Sequence, residues 1–194
     1  MLVVGGLIGG ALVTVLIVSG QTRLAVASTA MMTLVALAVY DMRLAVYGCL
    51  IYLIFLGDLR RLLLYTQPWS GADPLLIIGP GFVILTFVAI LASRRITFDT
   101  PMSIGVLAMM IIMGLQIFNP KQGGLIVGVG GILFLMIPIF WFWIGRAFGT
   151  ASFINTLLYK IVCPIGVLSI LVGLYQVLYG YLPYQLMWYH TAGY

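Results

Sequence analysis

Charge is the scarcest property of this sequence. Nine Lys and Arg residues and four Asp residues stand among 194 residues, and glutamate is absent. Hydrophobic residues make up 63% of the chain, and the mean hydropathy is +1.21. A soluble domain of this length cannot cover so much apolar surface with so few charged side chains. The composition therefore argues against a soluble globular protein and predicts an integral membrane protein.

Groups that carry acid–base or metal chemistry are equally few. The carboxylates are Asp41, Asp58, Asp73 and Asp99. All four fall at predicted helix ends or in loops, where capping and solvated pairing with nearby arginines explain them. No carboxylate lies within a span, which weakens the case for an ion-coupled transporter. The single histidine, His190, and the thiols Cys49 and Cys163 have no partners at ligand spacing, so we assign no metal, no cofactor and no catalytic residue.

What the sequence has instead is a series of long apolar runs. Residues 122–145 contain no charge, and 24 residues of helix span roughly 36 Å, enough to cross a hydrocarbon core of about 30 Å. The runs are continuous rather than alternating, which favours helices over a barrel. We expect an all-α, polytopic transmembrane bundle with about seven spans: 2–18, 24–40, 44–57, 75–92, 102–118, 122–145 and 159–179. The third run is short for a crossing and is also compatible with a re-entrant or interfacial segment.

Orientation follows from the positions of Lys and Arg. An N-terminus inside the cell places one set of cations in the cytoplasm: Arg43, Arg94, Arg95, Arg146 and Lys160. It places the other set outside: Arg23, Arg60, Arg61 and Lys121. This balance is nearly even, but residues 180–194 form an aromatic tail without Lys or Arg, which is easier to place outside. We therefore expect a multi-pass inner-membrane protein with its N-terminus inside and an aromatic outer loop over 180–194. Trp69, in the loop before the fourth run, is expected at headgroup level. The net charge of +5 suits anionic lipid neighbours and is no evidence for a nucleic-acid partner.

Five short phrases then resemble one family of membrane proteins. They are LGDLRRLLLY (56–65), DPLLIIGP (73–80), LQIFNPKQGGLIVGVGG (115–131), WFWIGR (141–146) and GLYQVLYGYLPY (173–184). In their order they resemble the N-terminal half of the O-antigen ligase and polymerase family, over roughly residues 50–194. The resemblance consists of apolar phrases and includes no catalytic signature.

The resemblance implies a bacterial inner-membrane enzyme of about ten to twelve helices. Such an enzyme moves a glycan from a polyprenyl pyrophosphate carrier to an acceptor glycan or lipid, without a metal or a nucleotide sugar. Arginines grip the pyrophosphate and a histidine takes the acceptor proton, but in the family these residues lie downstream of the part that this chain resembles. This chain is then expected to be an N-terminal portion that is inactive alone, and His190 does not replace the missing histidine.

What this portion is expected to contribute is scaffold and part of a lipid-carrier groove. Its candidate residues are the outer cations Arg60, Arg61 and Lys121, together with Gln176 near the outer end of the last span. For the three cations, a snorkelling or helix-end charge is the alternative interpretation.

Two other functions remain open at this level. A small-solute or bicarbonate-like transporter predicts polar residues converging near the bilayer midplane and internal repeats, and no convincing repeat relates the two halves of the sequence. A non-catalytic assembly subunit predicts that glycines four residues apart, such as Gly5 and Gly9 or Gly124 and Gly128, pack against a partner helix.

Overall fold

The computed structural model describes residues 2–68 and 73–191, with the side chains of residues 2–8, 122 and 133 left out of that description. Within these ranges the chain is helical apart from short connections, and it contains no strand. The helices are α1 (Leu2–Val18), α2 (Thr22–Tyr40), α3 (Met42–Leu62), α4 (Leu75–Ala92), α5 (Pro101–Gln116), α6 (Leu125–Phe148), α7 (Ala151–Thr156), α8 (Cys163–Tyr179) and α9 (Pro183–Thr191). The predicted all-α class is confirmed.

Five helical segments of the described chain are long and apolar enough to cross a membrane. They are Thr22–Tyr40, Met42–Tyr65, Leu75–Ala92, Leu125–Phe148 and Ala151–Tyr179. Helices α1 and α5 have 17 and 16 residues, fewer than the roughly 20 that a full crossing requires. Side chains such as Ile126 and Phe134 are 89% and 83% exposed, as expected where lipid is the solvent. The chain is a multi-pass α-helical membrane protein.

Helix α3 is longer than the charge pattern suggested. It begins after Asp41, whose carboxylate accepts a hydrogen bond from the Arg43 backbone N–H at 2.8 Å, and it continues through Arg60 and Arg61 to Leu62. A 3₁₀ turn extends it to Tyr65. Charges in a last helical turn do not end a helix, because cations there interact favourably with its dipole. The segment predicted as 44–57 therefore reaches 24 residues and the length of a crossing.

The C-terminal region also differs from expectation. Residues Leu157–Val162 form a π-helical segment that joins α7 to α8, so the last long helical stretch begins at Ala151 rather than at residue 159. Within the tail expected as a loop over 180–194, Pro183–Thr191 form helix α9. Proline at a first helical position loses no hydrogen bond and already has a helical φ, which explains why a helix begins there. Residues 192–194, like Trp69, lie outside the described residues.

The chain divides into two compact units, of which the first comprises Met1–Gly79 and Ala151–Tyr194. In this unit α2 packs between α1 and α3. The contacts use small residues: Ala45 and Cys49 are fully buried, and a β-carbon on Gly9 would lie 2.5 Å from the Met32 sulfur. Close approach of this kind is how helices gain packing energy in lipid, where burial of apolar surface offers little.

The second unit, Pro80–Thr150, is held by aromatic contacts. Phe87 and Phe140 stack with centroids 4.3 Å apart, and the Trp143 indole N–H donates to the Met110 sulfur at 3.3 Å. Gly128 lies against the backbone of Ile117, with only 2.7 Å between its would-be β-carbon and the carbonyl oxygen. Gly128 therefore packs closely within this unit, against the residue that follows α5. Packing of Gly124 and Gly128 against a partner helix stays a prediction.

A polar clasp also ties the α4–α5 connection of the second unit to the end of α6. Arg146 donates to the hydroxyl oxygens of Thr100 at 2.8 Å and Thr97 at 2.9 Å, and it pairs with the Asp99 carboxylate. The Thr97 hydroxyl donates to the same carboxylate at 3.0 Å. The Thr97 hydrogen bond, next a backbone hydrogen bond of Asp99 and then the Arg146 contact lower the pKa of Asp99 below its ordinary value.

We expect Arg146→Gln to raise the pKa of Asp99 towards that ordinary value. The carboxylate form is the one that is bound, so the stabilising contribution is present above the unfolded-state pKa and is lost as the pH falls through the lowered folded-state pKa. Carboxyl ¹³C NMR of aspartate-labelled protein in nanodiscs measures the shift, with Asp41 as an internal control. An unchanged Asp99 titration in the Arg146→Gln variant would contradict the clasp.

Candidate functional site

Three charged residues meet at one end of the first unit. Arg23 lies in the first turn of α2, Arg60 in the last turn of α3, and Asp73 two residues before α4. Asp73 Oδ2 accepts from Arg23 Nη1 and from Arg60 Nε, each at 2.8 Å, and Oδ1 accepts from the Leu75 backbone N–H at 3.1 Å. One carboxylate therefore joins the ends of three helices.

This cluster is withdrawn from solvent. Arg23 is 2% exposed and Asp73 3%. Arg23 also donates from its backbone to Gln67 Oε1 at 3.1 Å and from Nη2 to the Arg60 carbonyl at 3.3 Å. Buried charges persist only when they are paired and hydrogen-bonded, and these contacts meet that condition. Asp73 does cap a helix end and pair with nearby arginines, as predicted. The prediction that this pairing is solvated is wrong, because the carboxylate is enclosed by two guanidinium groups.

A cavity of about 290 Å³ lies at the C-terminal end of α8, beside α9. It is lined by Arg61, Gln176, Tyr181, Gln185, Trp188 and Tyr189. Gln185, Trp188 and Tyr189 follow the i, i+3, i+4 spacing of one helical face, so a single face of α9 supplies half of the lining. Its volume is near the lower end of the roughly 300–1,000 Å³ typical of ligand pockets.

Arg61 is the charged member of this lining. Its guanidinium carbon lies 5.0 Å from the centre of the Trp188 ring, a cation–π contact, and Nη1 lies 3.3 Å from Asp58 Oδ1. The Tyr184 hydroxyl donates to the same oxygen at 3.3 Å. Burial, and next the neighbouring Asp58 carboxylate, raise the pKa of Tyr184, which keeps the phenol protonated as a donor. Arg61 and Asp58 together are electrically neutral.

Two amide side chains form the polar side of the cavity. Gln176 Nε2 donates to Gln185 Oε1 at 3.0 Å, and the same oxygen accepts from the Leu182 backbone N–H at 3.0 Å. Gln185 is nearly buried, which fixes its amide and, through it, the amide of Gln176. The Gln176 carbonyl oxygen and its second N–H remain available for a ligand in this geometry.

Of the four residues predicted for a lipid-carrier groove, two line this cavity and two are not part of its lining. Arg61 and Gln176 line the same cavity. Arg60 instead contacts Asp73. Adjacent residues on a helix point about 100° apart, so Arg60 and Arg61 face different neighbours. Lys121 belongs to the second unit, in an exposed 3₁₀ turn where its backbone N–H is bonded to Asn119 Oδ1 at 3.1 Å.

Sequence reasoning missed Asp58, Gln185 and Trp188 as site residues. The sequence predicts an aromatic outer loop over 180–194, and a loop has no i, i+3, i+4 face. Pro183 at the first helical position is the signal that could have revealed it. The structure offers no candidate metal centre in residues 2–68 and 73–191, where no three His, Cys, Asp or Glu side chains come together as ligands.

Removing the carboxylate of Asp73 is expected to destabilise the protein strongly. Asp73→Ala leaves two guanidinium groups without their counter-ion, and breaking a buried pair in this way costs about 3–5 kcal/mol. Asp58→Asn is the matched control, because its half-exposed ion pair contributes only about 0.2–1 kcal/mol. Unfolding in mixed micelles with increasing SDS, followed by circular dichroism, measures both variants. Equal small losses would contradict a buried, structural role for Asp73.

Comparison with known proteins adds no assignment to this geometry: no family model, curated protein or solved structure matches the chain. We therefore infer a function from the chemistry of the clustered residues.

Proposed function

We propose that this chain is the N-terminal part of a bacterial inner-membrane protein similar to O-antigen ligases and polymerases, which transfers or polymerises glycans carried on polyprenyl pyrophosphate. In this proposal the complete protein has ten to twelve membrane-spanning helices, and about seven of these spans lie in this chain. The observation that carries the proposal is that Arg61 and Gln176, two of the residues expected at the carrier, line one cavity.

The surroundings of this cavity suit an amphipathic carrier. The lining combines a cation with two amides, while the outward faces of α3 and α8 are apolar, with residues such as Ile54 and Val177 exposed. A polyprenyl tail would lie along such faces in the bilayer, and the glycan attached to the carrier would meet the cavity. The fixed amides and the stacked guanidinium require little reordering on binding, which favours affinity.

No residue of this chain is assigned a catalytic role in the proposal. His190 lies exposed on α9, in an edge contact with the Tyr189 ring at 5.8 Å, and it does not line the cavity. The acceptor, the glycan and the groups that transfer it belong to the complete enzyme. What this chain contributes is a membrane scaffold and a binding surface.

We expect the chain in lipid nanodiscs to retain a polyprenyl pyrophosphate-linked oligosaccharide in preference to phosphatidylglycerol. Arg61→Ala should weaken this retention about tenfold, the equivalent of one lost contact of about 1.4 kcal/mol. Native mass spectrometry of the released complexes measures the bound lipid, with Lys160→Ala as the control because that exposed cation lies far from the cavity in the sequence and outside its lining. Equal retention of both lipids, or no effect of Arg61→Ala, would overturn the proposal.

The proposed orientation has its own test. In a Cys163→Ser background, where the remaining thiol of Cys49 is fully buried, His190→Cys should react with a membrane-impermeant maleimide on intact cells. Lys160→Cys should react only after lysis, because Lys160 belongs to the inner set of cations. The reverse pattern would place the tail inside and refute the assigned topology.

A further inference from the structure

The cavity beside α9 combines flat aromatic surfaces with paired hydrogen-bonding groups. Tyr181 and Tyr189 are 63% and 48% exposed, so their rings are accessible to a ligand. The Trp188 ring instead contacts the Arg61 guanidinium. Gln176 offers both an acceptor and a donor, and Arg61 donates through N–H groups beyond the Nη1 that meets Asp58. The lining thus presents apolar faces and polar edges together.

This combination matches one chemical class of ligand well. A sugar ring has C–H groups on its faces, which pack on aromatic rings, and hydroxyl groups around its edge, which both donate and accept hydrogen bonds. Gln amides and Arg fork geometry satisfy vicinal hydroxyls in pairs. A purely apolar chain would leave the Gln176 carbonyl oxygen, its second N–H and the remaining Arg61 N–H groups without partners, at a cost for every polar group so enclosed.

The charge balance argues against an anion in the same place. Arg61 Nη1 lies 3.3 Å from Asp58 Oδ1, so the pair is neutral. The Tyr184 hydroxyl donates a hydrogen bond to the same carboxylate oxygen. The other cations near this end, Arg23 and Arg60, are held by Asp73 and do not line the cavity. A pyrophosphate in the cavity would meet one guanidinium that already has a counter-ion, together with the Asp58 charge at close range.

We infer that this cavity is a binding subsite for one neutral sugar ring, held between the exposed tyrosines and the amides of Gln176 and Gln185, rather than the site of the diphosphate. The inference rests on the proposed function for the source of the sugar, which is the glycan next to the carrier. It replaces the expected role of Arg61 as a phosphate ligand. Arg61 instead donates to hydroxyl groups and, through its contact with Trp188, positions α9.

The test uses the full 194-residue chain in nanodiscs and four probes: the methyl glycosides of glucose, galactose, mannose and N-acetylglucosamine. Saturation-transfer difference NMR should show transfer to ring C–H protons of at least one glycoside. Tyr181→Ser and Gln176→Leu should each weaken that signal about tenfold, the equivalent of one lost contact of about 1.4 kcal/mol. Sodium pyrophosphate at equal concentration should not displace the sugar.

Tyr159→Ser is the matched control for Tyr181→Ser, because Tyr159 is similarly exposed and does not line the cavity. It should leave the signal unchanged, and circular dichroism verifies that each variant is folded. Absence of transfer to all four glycosides, equal signals in wild type and both cavity variants, or displacement by pyrophosphate would each overturn the inference.

The two proposals fail separately. If the glycosides bind and the lipid-linked oligosaccharide is not retained, the carrier proposal falls and the sugar subsite stands. If the lipid-linked oligosaccharide is retained and no glycoside receives saturation, the sugar inference falls and the carrier proposal stands.

Discussion

The carboxylate of Asp73 lies between the guanidinium groups of Arg23 and Arg60, and the arrangement of the first unit's polar end depends on this contact. Because Asp73 holds Arg60, the last turn of α3 has a fixed rotation about its axis. Arg61, the next residue, then points about 100° away, towards α9. The buried cluster and the cavity are therefore linked through the last turn of α3. The contact of Arg60 with Asp73 fixes the direction in which Arg61 points towards the cavity.

Because lipid is the solvent, a few polar contacts largely determine how the helices pack against one another. Apolar surface gains little by leaving lipid for the protein interior, so the helices are held by close packing at small residues and by hydrogen bonds. Ala45 and Cys49 supply the close packing of α3, and the Tyr47 hydroxyl adds a 3.0 Å bond to the Phe153 carbonyl with the rings stacked at 4.6 Å. The position of α9 depends on the same kind of bond, between Tyr184 and Asp58.

The sequence allowed the class and most of the long helices to be predicted, because charges are rare enough to mark where apolar runs stop. The prediction that a charged residue ends a helix was wrong where that residue has an ion-pair partner. Arg60 and Arg61 did not end α3, since Asp73 and Asp58 accept them at the end of the helix. Half of the predicted groove lines one cavity because Arg61, at the end of α3, and Gln176, near the end of α8, both contact α9. Which of the two adjacent arginines faces the cavity depends on Asp73. Asp73 lies 13 residues from Arg60 in the sequence, and no spacing in the sequence predicts a contact between them.

Placement of the cavity on α9 has a consequence for how specificity would arise. One short helix provides Gln185, Trp188 and Tyr189, and its attachment to α3 uses Trp188 on Arg61 and Tyr184 on Asp58. The groups that hold the helix are thus the neighbours of the groups that meet a ligand. A ligand that demanded the full charge of Arg61 would compete with Asp58 and loosen α9, whereas a ligand that accepts hydrogen bonds without a charge leaves both attachments intact. The same network that positions the helix therefore selects against anions and in favour of neutral, hydroxyl-rich partners.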